Sequence, residues 1–264
     1  MKFFITYFGL AVSCFSVSNG NPTSRIAGGV VTDIRNYPFA TSLISNIAST
    51  SFTQACAGTI ISSSAILSAA SCFFTGNQAH SIESWRARVG STYSNSHGLV
   101  YIIRRITTHP EFVSSTLVND VAVLRTVVQI TFTDTVQPAY LAGGAYSLAN
   151  NQQVWGIGWG VTSNVAALSP NLRDVQVFVI DQQTCINRYN EIGFAVNDNM
   201  LCAGWLDVGV RGQCEGDNGG PLLHNGVVVG VYSWTEGCGT GRHPSINTRV
   251  SAFTRWIEST AVAA

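Results

Sequence analysis

Lysine is nearly absent from this sequence of 264 residues: Lys2 is the only one, and every other basic residue is arginine. Lysine loses its charge near pH ~10.4, whereas arginine keeps its charge beyond pH ~12. A surface that carries arginine alone therefore stays charged in a strongly alkaline fluid, although simple drift in composition would leave the same pattern.

Charge of either sign is also sparse. Only 11% of the residues are charged, and 14 basic residues balance 14 acidic ones. This composition excludes the charged face that a nucleic-acid partner or a polybasic contact with a membrane would need. The 46% of hydrophobic residues suffice instead for a large core, in one domain or in two tightly joined halves.

Metal-binding patterns are missing as well. No Cys-x-x-Cys spacing occurs, which argues against a structural zinc site. The loop at 89–98 has no acidic residue, so a calcium loop is not expected there. We therefore expect no metal and no cofactor.

One apolar stretch stands apart, at the start of the sequence. Lys2 is followed by a mostly apolar run at 3–12 and then by small and polar residues up to about Gly20. The run is too short for a membrane span and predicts a secretory signal peptide over residues 1–20. The alternative is a buried N-terminal strand.

Cysteine usage agrees with export to an oxidising compartment. Of the seven cysteines, Cys14 falls in the signal segment, which leaves an even number in the mature chain. The remaining six are Cys56, Cys72, Cys185, Cys202, Cys214 and Cys238. Their spacing alone does not assign the pairs.

Short apolar runs separated by turn residues predict an all-β fold. The run at 227–234 follows Asn225-Gly226, a pair that is typical of a tight hairpin turn. Two helices are also expected: a short one capped by Asp181, and a C-terminal one capped by Ser251.

Four stretches carry a family resemblance. They are residues 25–29 (RIAGG), 56–72 (CAGTI through LSAASC), 119–124 (NDVAVL) and 214–222 (CEGDNGGPL). Together they resemble the chymotrypsin/trypsin family of serine proteases (peptidase S1), and the insect midgut trypsins in particular, over essentially all of the chain after residue 25.

The resemblance implies two six-stranded antiparallel β-barrels with a cleft between them and a C-terminal helix, in a domain covering 26–264. It also implies three disulfide bonds: Cys56–Cys72, Cys185–Cys202 and Cys214–Cys238. Residues 21–25 would form a short activation propeptide. Cleavage after Arg25 by a trypsin-like protease would free the amine of Ile26 to pair with Asp217, unless Arg25 is an inherited site that is cut without consequence.

The catalytic positions depart from the family pattern. Asp120 matches the triad carboxylate, but Ser71 stands where the family has its histidine, and Asn218 stands where it has its nucleophilic serine. The N–H groups of Gly216 and Asn218 correspond to the oxyanion hole. A hydroxyl cannot act as a general base near neutral pH, and an amide is a very poor nucleophile. We therefore predict a protein without protease activity.

Other histidines could in principle replace the missing base, but none lies in a matching motif. They are His80, His97, His109, His224 and His243. Without a histidine beside it, Asp120 needs other donors, and we expect Ser71, Ser233 or a water molecule to supply them.

The expected specificity pocket also differs from that of trypsins. Gly212 stands where they place an acidic residue, and Thr235 and Ser245 stand at wall positions that usually hold glycine. The pocket should be neutral and narrow. Ser233 and Trp234 resemble the edge segment that pairs with an extended peptide.

Three hypotheses follow. The first is a secreted, extracellular homologue that binds peptide segments, protease inhibitors or another protein; the lysine-free surface and the midgut resemblance suggest an alkaline gut lumen. The second is a digestive serine endopeptidase with atypical or residual activity. The third is a protein with no binding function.

Overall fold

The computed structural model describes residues 28–161, 167–209 and 211–263. The predicted signal peptide, the propeptide, Arg25 and Ile26 lie outside these ranges.

The described residues form sixteen strands. In the first half they are β1 (Val30–Val31), β2 (Ala40–Ser45), β3 (Thr53–Ile60), β4 (Ala65–Ser68), β5 (Phe74–Thr75), β6 (Gln78–Ala79), β7 (Trp85–Val89), β8 (Leu99–Thr108) and β9 (Ala122–Thr126). In the second half they are β10 (Tyr140–Leu141), β11 (Gln153–Gly158), β12 (Arg173–Val179), β13 (Met200–Gly204), β14 (Pro221–His224), β15 (Val227–Trp234) and β16 (Ser245–Arg249).

The first barrel closes in the order β2-β3-β4-β9-β8-β7, with every neighbouring pair antiparallel. Its strands alternate between inside and outside; on β7, for example, Trp85, Ala87 and Val89 are buried and the two arginines between them are partly exposed. Alternate residues of a strand point to opposite faces, so one face fills the barrel and the other meets solvent.

The second barrel closes in the order β12-β11-β14-β15-β16-β13, because β13 returns to pair with β12. At its margins β1 pairs with β12, and β10 pairs in parallel with β15. Val175, Val177 and Val179 of β12 are all buried. Two closed six-stranded antiparallel barrels confirm the predicted fold class.

The hairpin turn between β14 and β15 is where the sequence predicts it. Asn225 and Gly226 have φ angles of 51° and 78°. Consecutive positive φ angles are what a two-residue hairpin turn of the primed type requires, and an asparagine followed by glycine adopts them at low cost.

Two α-helices, α1 (Gln182–Asn190) and α2 (Val250–Val262), accompany the barrels. The chain also forms short 3-10 helices at Ile34–Asn36, Ala70–Phe73 and Ile82–Ser84. Asp181 caps α1 as expected, since its Oδ1 accepts a hydrogen bond from Thr184 N at 2.9 Å.

The predicted cap of α2 is wrong. The helix begins at Val250, before Ser251, and the residue that precedes it, Arg249, makes no side-chain cap. Strand β16 runs directly into the helix and Val250 is buried, so packing sets the start of the helix. Phe253 and Ile257 are buried as expected.

Disulfide bonds join the three pairs that the resemblance implies: Cys56–Cys72, Cys185–Cys202 and Cys214–Cys238. In the described part of the chain, no helix combines the length and the apolar character that crossing a bilayer requires.

Candidate active site cleft

The cleft is built around Asp120, which lies two residues before β9 and is fully buried. Its Oδ2 accepts hydrogen bonds from Ser71 Oγ at 2.8 Å and Ser233 Oγ at 2.6 Å, and its Oδ1 accepts one from Ser71 N at 2.7 Å. Of the expected donors, which were Ser71, Ser233 or a water molecule, the structure shows both serines. Burial raises the pKa of Asp120, and the bonds from Ser233 and Ser71 oppose that rise.

Ser233 belongs to the second barrel and Asp120 to the first, so their hydrogen bond joins the two halves of the molecule. Ser71 stands in the short helix Ala70–Phe73, which the Cys56–Cys72 disulfide ties to β3. The fold thus brings together the three residues that the sequence places 49 and 113 positions apart.

A tight glycine-rich turn carries Asn218. Gly216 and Gly219 on either side of it have φ angles of 89° and 83°. A Cβ built on Gly219 would lie only 2.0 Å from Ser68 Oγ and 2.4 Å from Ala57 O, so no side chain fits there. Gly219 N also donates to Tyr232 O at 2.8 Å, which fixes the turn against β15.

The side chain of Asn218 is held at both ends by main-chain groups. Its Nδ2 donates to Ser233 O at 2.5 Å, and its Oδ1 accepts from Gly216 N at 3.3 Å. The family resemblance assigns the N–H of Gly216 to the oxyanion hole. In the structure the carboxamide of Asn218 already engages it.

Asp217 points away from the cleft into the second barrel and is fully buried. It accepts hydrogen bonds from Gly160 N at 2.7 Å and Cys214 N at 3.0 Å. Burial raises the pKa of Asp217 to about 7, despite these bonds. Its expected partner, the amine of Ile26, is outside the described residues.

The residues expected at the specificity pocket lie close together: Gly212 is next to Ser245, and Thr235 and Ser245 line one small cavity. A Cβ built on Gly212 would lie 3.1 Å from Ser245 Oγ, and Thr235 Oγ1 donates to His243 O at 3.4 Å. The cavity lined by Thr235 and Ser245 has a volume of about 10 Å³ for a water-sized sphere, which is room for a single water molecule.

A larger cavity of about 390 Å³ is lined in part by Asn218. Ile47, Ala48 and the Cys56–Cys72 disulfide line it, together with Ser71 at its rim. Its apolar lining suits a hydrophobic side chain of a bound peptide. Sequence reasoning missed this cavity, because the residues that line it come from four separate segments.

His80 also lines this cavity. No sequence motif indicated that this histidine would lie near Ser71 and Asn218. Its Nε2 is hydrogen-bonded to Thr75 Oγ1 at 2.8 Å, and its ring stacks on Trp85 with centroids 6.0 Å apart. Burial lowers the pKa of His80. These contacts orient the imidazole towards Thr75 and Trp85.

Trp234 ends β15 beside Ser233, and its ring packs against Phe194 and Tyr189 with centroids 4.6 and 5.4 Å apart. This packing holds the edge segment that follows in place. Across the ranges that the structure describes, no group of three or more His, Cys, Asp or Glu residues is arranged to hold a metal ion.

The chain is similar in sequence to proteins of one known family. Residues 26–257 match the family model described as Trypsin. The chain is 48% identical over 237 residues to Trypsin CFT-1 of Choristoneura fumiferana, which covers 90% of this chain and 91% of that protein. It is 45% identical over 259 residues to alkaline trypsin A of Manduca sexta (98% and 99% covered), and 43% identical over 240 residues to Achelase-1 of Lonomia achelous (89% and 100% covered).

Proposed function

Because this chain belongs to the trypsin family, we propose that it is a secreted homologue that binds peptide segments or protease inhibitors in the cleft without cleaving them. One observation carries the proposal: Asp120 receives its side-chain hydrogen bonds from two serine hydroxyls, and the nearby Asn218 is an amide. The cleft thus keeps the triad carboxylate, while a hydroxyl and a carboxamide take the places of the base and the nucleophile.

The size of the expected loss is large. In a comparable triad enzyme, removing the nucleophile or the base alone lowers kcat by about 2 × 10⁶, and removing all three members costs about the same. In such an enzyme, a residual acceleration of about 10³–10⁴ over water is left to binding and the oxyanion hole. Such a rate is too slow for a digestive enzyme.

The proposed ligand is a segment with small or apolar side chains. Gly212 provides no carboxylate for an arginine or lysine side chain, and the space beside Thr235 and Ser245 is small. The 390 Å³ cavity beside Asn218 offers a mostly apolar site. The edge at Ser233 and Trp234 supports strand-like pairing with such a segment.

Two further parts of the proposal concern processing and location. We propose that a trypsin-like protease cuts after Arg25 and that Ile26 then pairs with Asp217; the buried, glycine-lined position of Asp217 supports this. The lysine-free composition and the relatives named alkaline trypsins support an alkaline gut lumen as the place of action.

The test is peptidase activity after controlled cleavage at Arg25, measured for the parent chain and for a Ser71→His, Asn218→Ser double variant. Substrates with small and apolar residues are used. We expect a silent parent and an active double variant, because the double variant restores the missing base and nucleophile on an intact scaffold. Turnover by the parent at rates typical of enzymes would overturn the proposal.

A second candidate function is serine endopeptidase activity through an unusual nucleophile. Ser71 Oγ donates directly to Asp120, and burial raises the pKa of that carboxylate, which makes it a stronger base. The relatives named as trypsins favour this candidate. A phosphonylating probe followed by mass spectrometry tests it: a label on Ser71 that is lost in Ser71→Ala supports activity, and an unlabelled Ser71 rejects this route.

A further inference from the structure

The carboxamide of Asn218 offers the same kinds of group as a peptide bond, N–H donors and a C=O acceptor. In this structure it uses them on main-chain partners, donating to Ser233 O and accepting from Gly216 N. Those partners are an edge carbonyl and the N–H that corresponds to the oxyanion hole. Asn218 therefore fills, from within, the positions at which a peptide in the cleft would make its central hydrogen bonds.

The backbone around Asn218 holds this arrangement in place. Asn218 O accepts a hydrogen bond from Ala57 N at 2.8 Å, which anchors the residue to the first barrel. The neighbouring Gly219 cannot accept a side chain, so the turn has little freedom to move. A serine at position 218 would have a shorter side chain with one oxygen in place of the separate N–H and C=O groups of the carboxamide.

We propose that Asn218 is an internal mimic of a peptide group that occupies the centre of the cleft and determines which ligands bind. It rests on the proposed peptide-binding function. A segment that inserts a carbonyl towards Gly216 must first displace the carboxamide. Segments that use the apolar cavity or the edge beyond Ser233 bind without that displacement.

The two hydrogen bonds of Asn218 should weaken the binding of a peptide that must break them. Each intramolecular hydrogen bond contributes a modest net amount, because water replaces it when it breaks. Removing the two bonds of Asn218 should therefore tighten the binding of an extended peptide by about tenfold. A ligand that lacks the central carbonyl should gain less, because only the bond to Ser233 O becomes available to it.

The binding experiment uses Asn218→Ala and the parent chain, both cut at Arg25, with two blocked extended peptides of small and apolar residues. The peptides differ only in one bond: the second carries a reduced methylene-amine in place of the central amide carbonyl. We expect Asn218→Ala to bind the intact peptide about tenfold more tightly than the parent does, and the reduced peptide more tightly by a clearly smaller factor. An equal gain for both peptides would mean that bulk alone blocks the cleft and would overturn the proposal.

A second measurement needs no ligand. Hydrogen exchange at the amide of Gly216 should be slow in the parent and clearly faster in Asn218→Ala, because the variant removes the acceptor. Unchanged exchange at Gly216 would overturn the proposal even if peptides bind. Conversely, faster exchange together with no binding of either peptide would leave Asn218 as the occupant of the cleft and reject the peptide-binding function.

Discussion

At the scale of single residues, the fully buried carboxylate of Asp120 receives its side-chain hydrogen bonds from two serine hydroxyls in the described part of the chain. Solvent does not reach the Asp120 carboxylate, so the hydroxyls of Ser71 and Ser233 take the place of water as hydrogen-bond donors. A buried carboxylate is costly unless donors surround it. The serine at position 71 therefore supports the buried carboxylate of Asp120 through its hydroxyl and its main-chain N–H.

Replacing this hydroxyl should destabilise the fold. We expect Ser71→Ala to lower the free energy of unfolding by about 1–3 kcal/mol near neutral pH, because Asp120 Oδ2 loses one of its donors. Urea unfolding measures the change. Ser49→Ala, which removes an exposed hydroxyl, serves as the control and should change little.

The partner serine gives a check on this explanation. Ser233→Ala should also destabilise, and the double variant should depart from the sum of the two single effects, because both hydroxyls act on the same oxygen. Strict additivity would count against a shared carboxylate site.

The serine support of Asp120 could be predicted from the sequence, whereas the contacts of Asn218 could not. Family motifs give the positions of Ser71 and Asp120, and the cost of an unpaired buried charge supplies the rest of the argument. The side chain of Asn218 is different, because its bonds depend on its rotamer and on the distances between separate turns. The larger cavity beside Ser71 was missed for the same reason.

At the scale of elements, the two α-helices begin in different ways. Asp181 caps α1 through its side chain, while α2 starts at the buried Val250 with no side-chain cap. The sequence offers a suitable polar residue in both cases, Asp181 and Ser251. Only the structure shows that strand β16 continues into α2 and shifts its start.

This contrast provides a matched pair of variants. Asp181→Ala should lower Tm by a few degrees, because Thr184 N and the first turn of α1 lose their acceptor. Ser251→Ala should leave Tm almost unchanged, since Ser251 lies inside α2. Differential scanning calorimetry distinguishes the two, and equal losses would contradict the assignment of the caps.

The strands were the most predictable elements. The apolar run at 227–234 predicts β15, and the Asn225-Gly226 pair predicts the turn that precedes it. Which strand pairs with which did not follow from these local patterns and was expected only from the family resemblance. Closure of each barrel depends on contacts between distant segments, such as β12 with β13.

At the scale of the whole molecule, Asp217 links folding to pH. Burial raises its pKa to about 7, so between pH ~4 and ~7 the folded chain holds a proton that the unfolded chain has released. Such a difference makes the folded state less stable as the pH rises through this window, with no further change from this group above it.

We therefore expect the free energy of unfolding of the uncut chain to fall by up to about 4 kcal/mol between pH ~4 and ~7 through Asp217 alone. Urea unfolding at a series of pH values measures this, and Asp217→Asn should lack that part of the slope. After cleavage at Arg25 the slope should shrink, because pairing with the amine of Ile26 would lower the pKa of Asp217. A cut chain with the same slope would indicate that the amine stays elsewhere.

The last helix joins the two barrels a second time. Helix α2 leaves the second barrel at β16 and packs against β4 and β9 of the first, where the guanidinium of Arg125 donates to the carbonyls of Ala261 and Ala263. If two halves of a protein are held together only by the connecting segment of the chain, they separate when a protease cuts that segment. Here a nick between β9 and β10 would break the chain between the barrels, but α2 would still hold the first barrel through its contacts with β4 and β9. The two halves should therefore stay together as a stable cut complex.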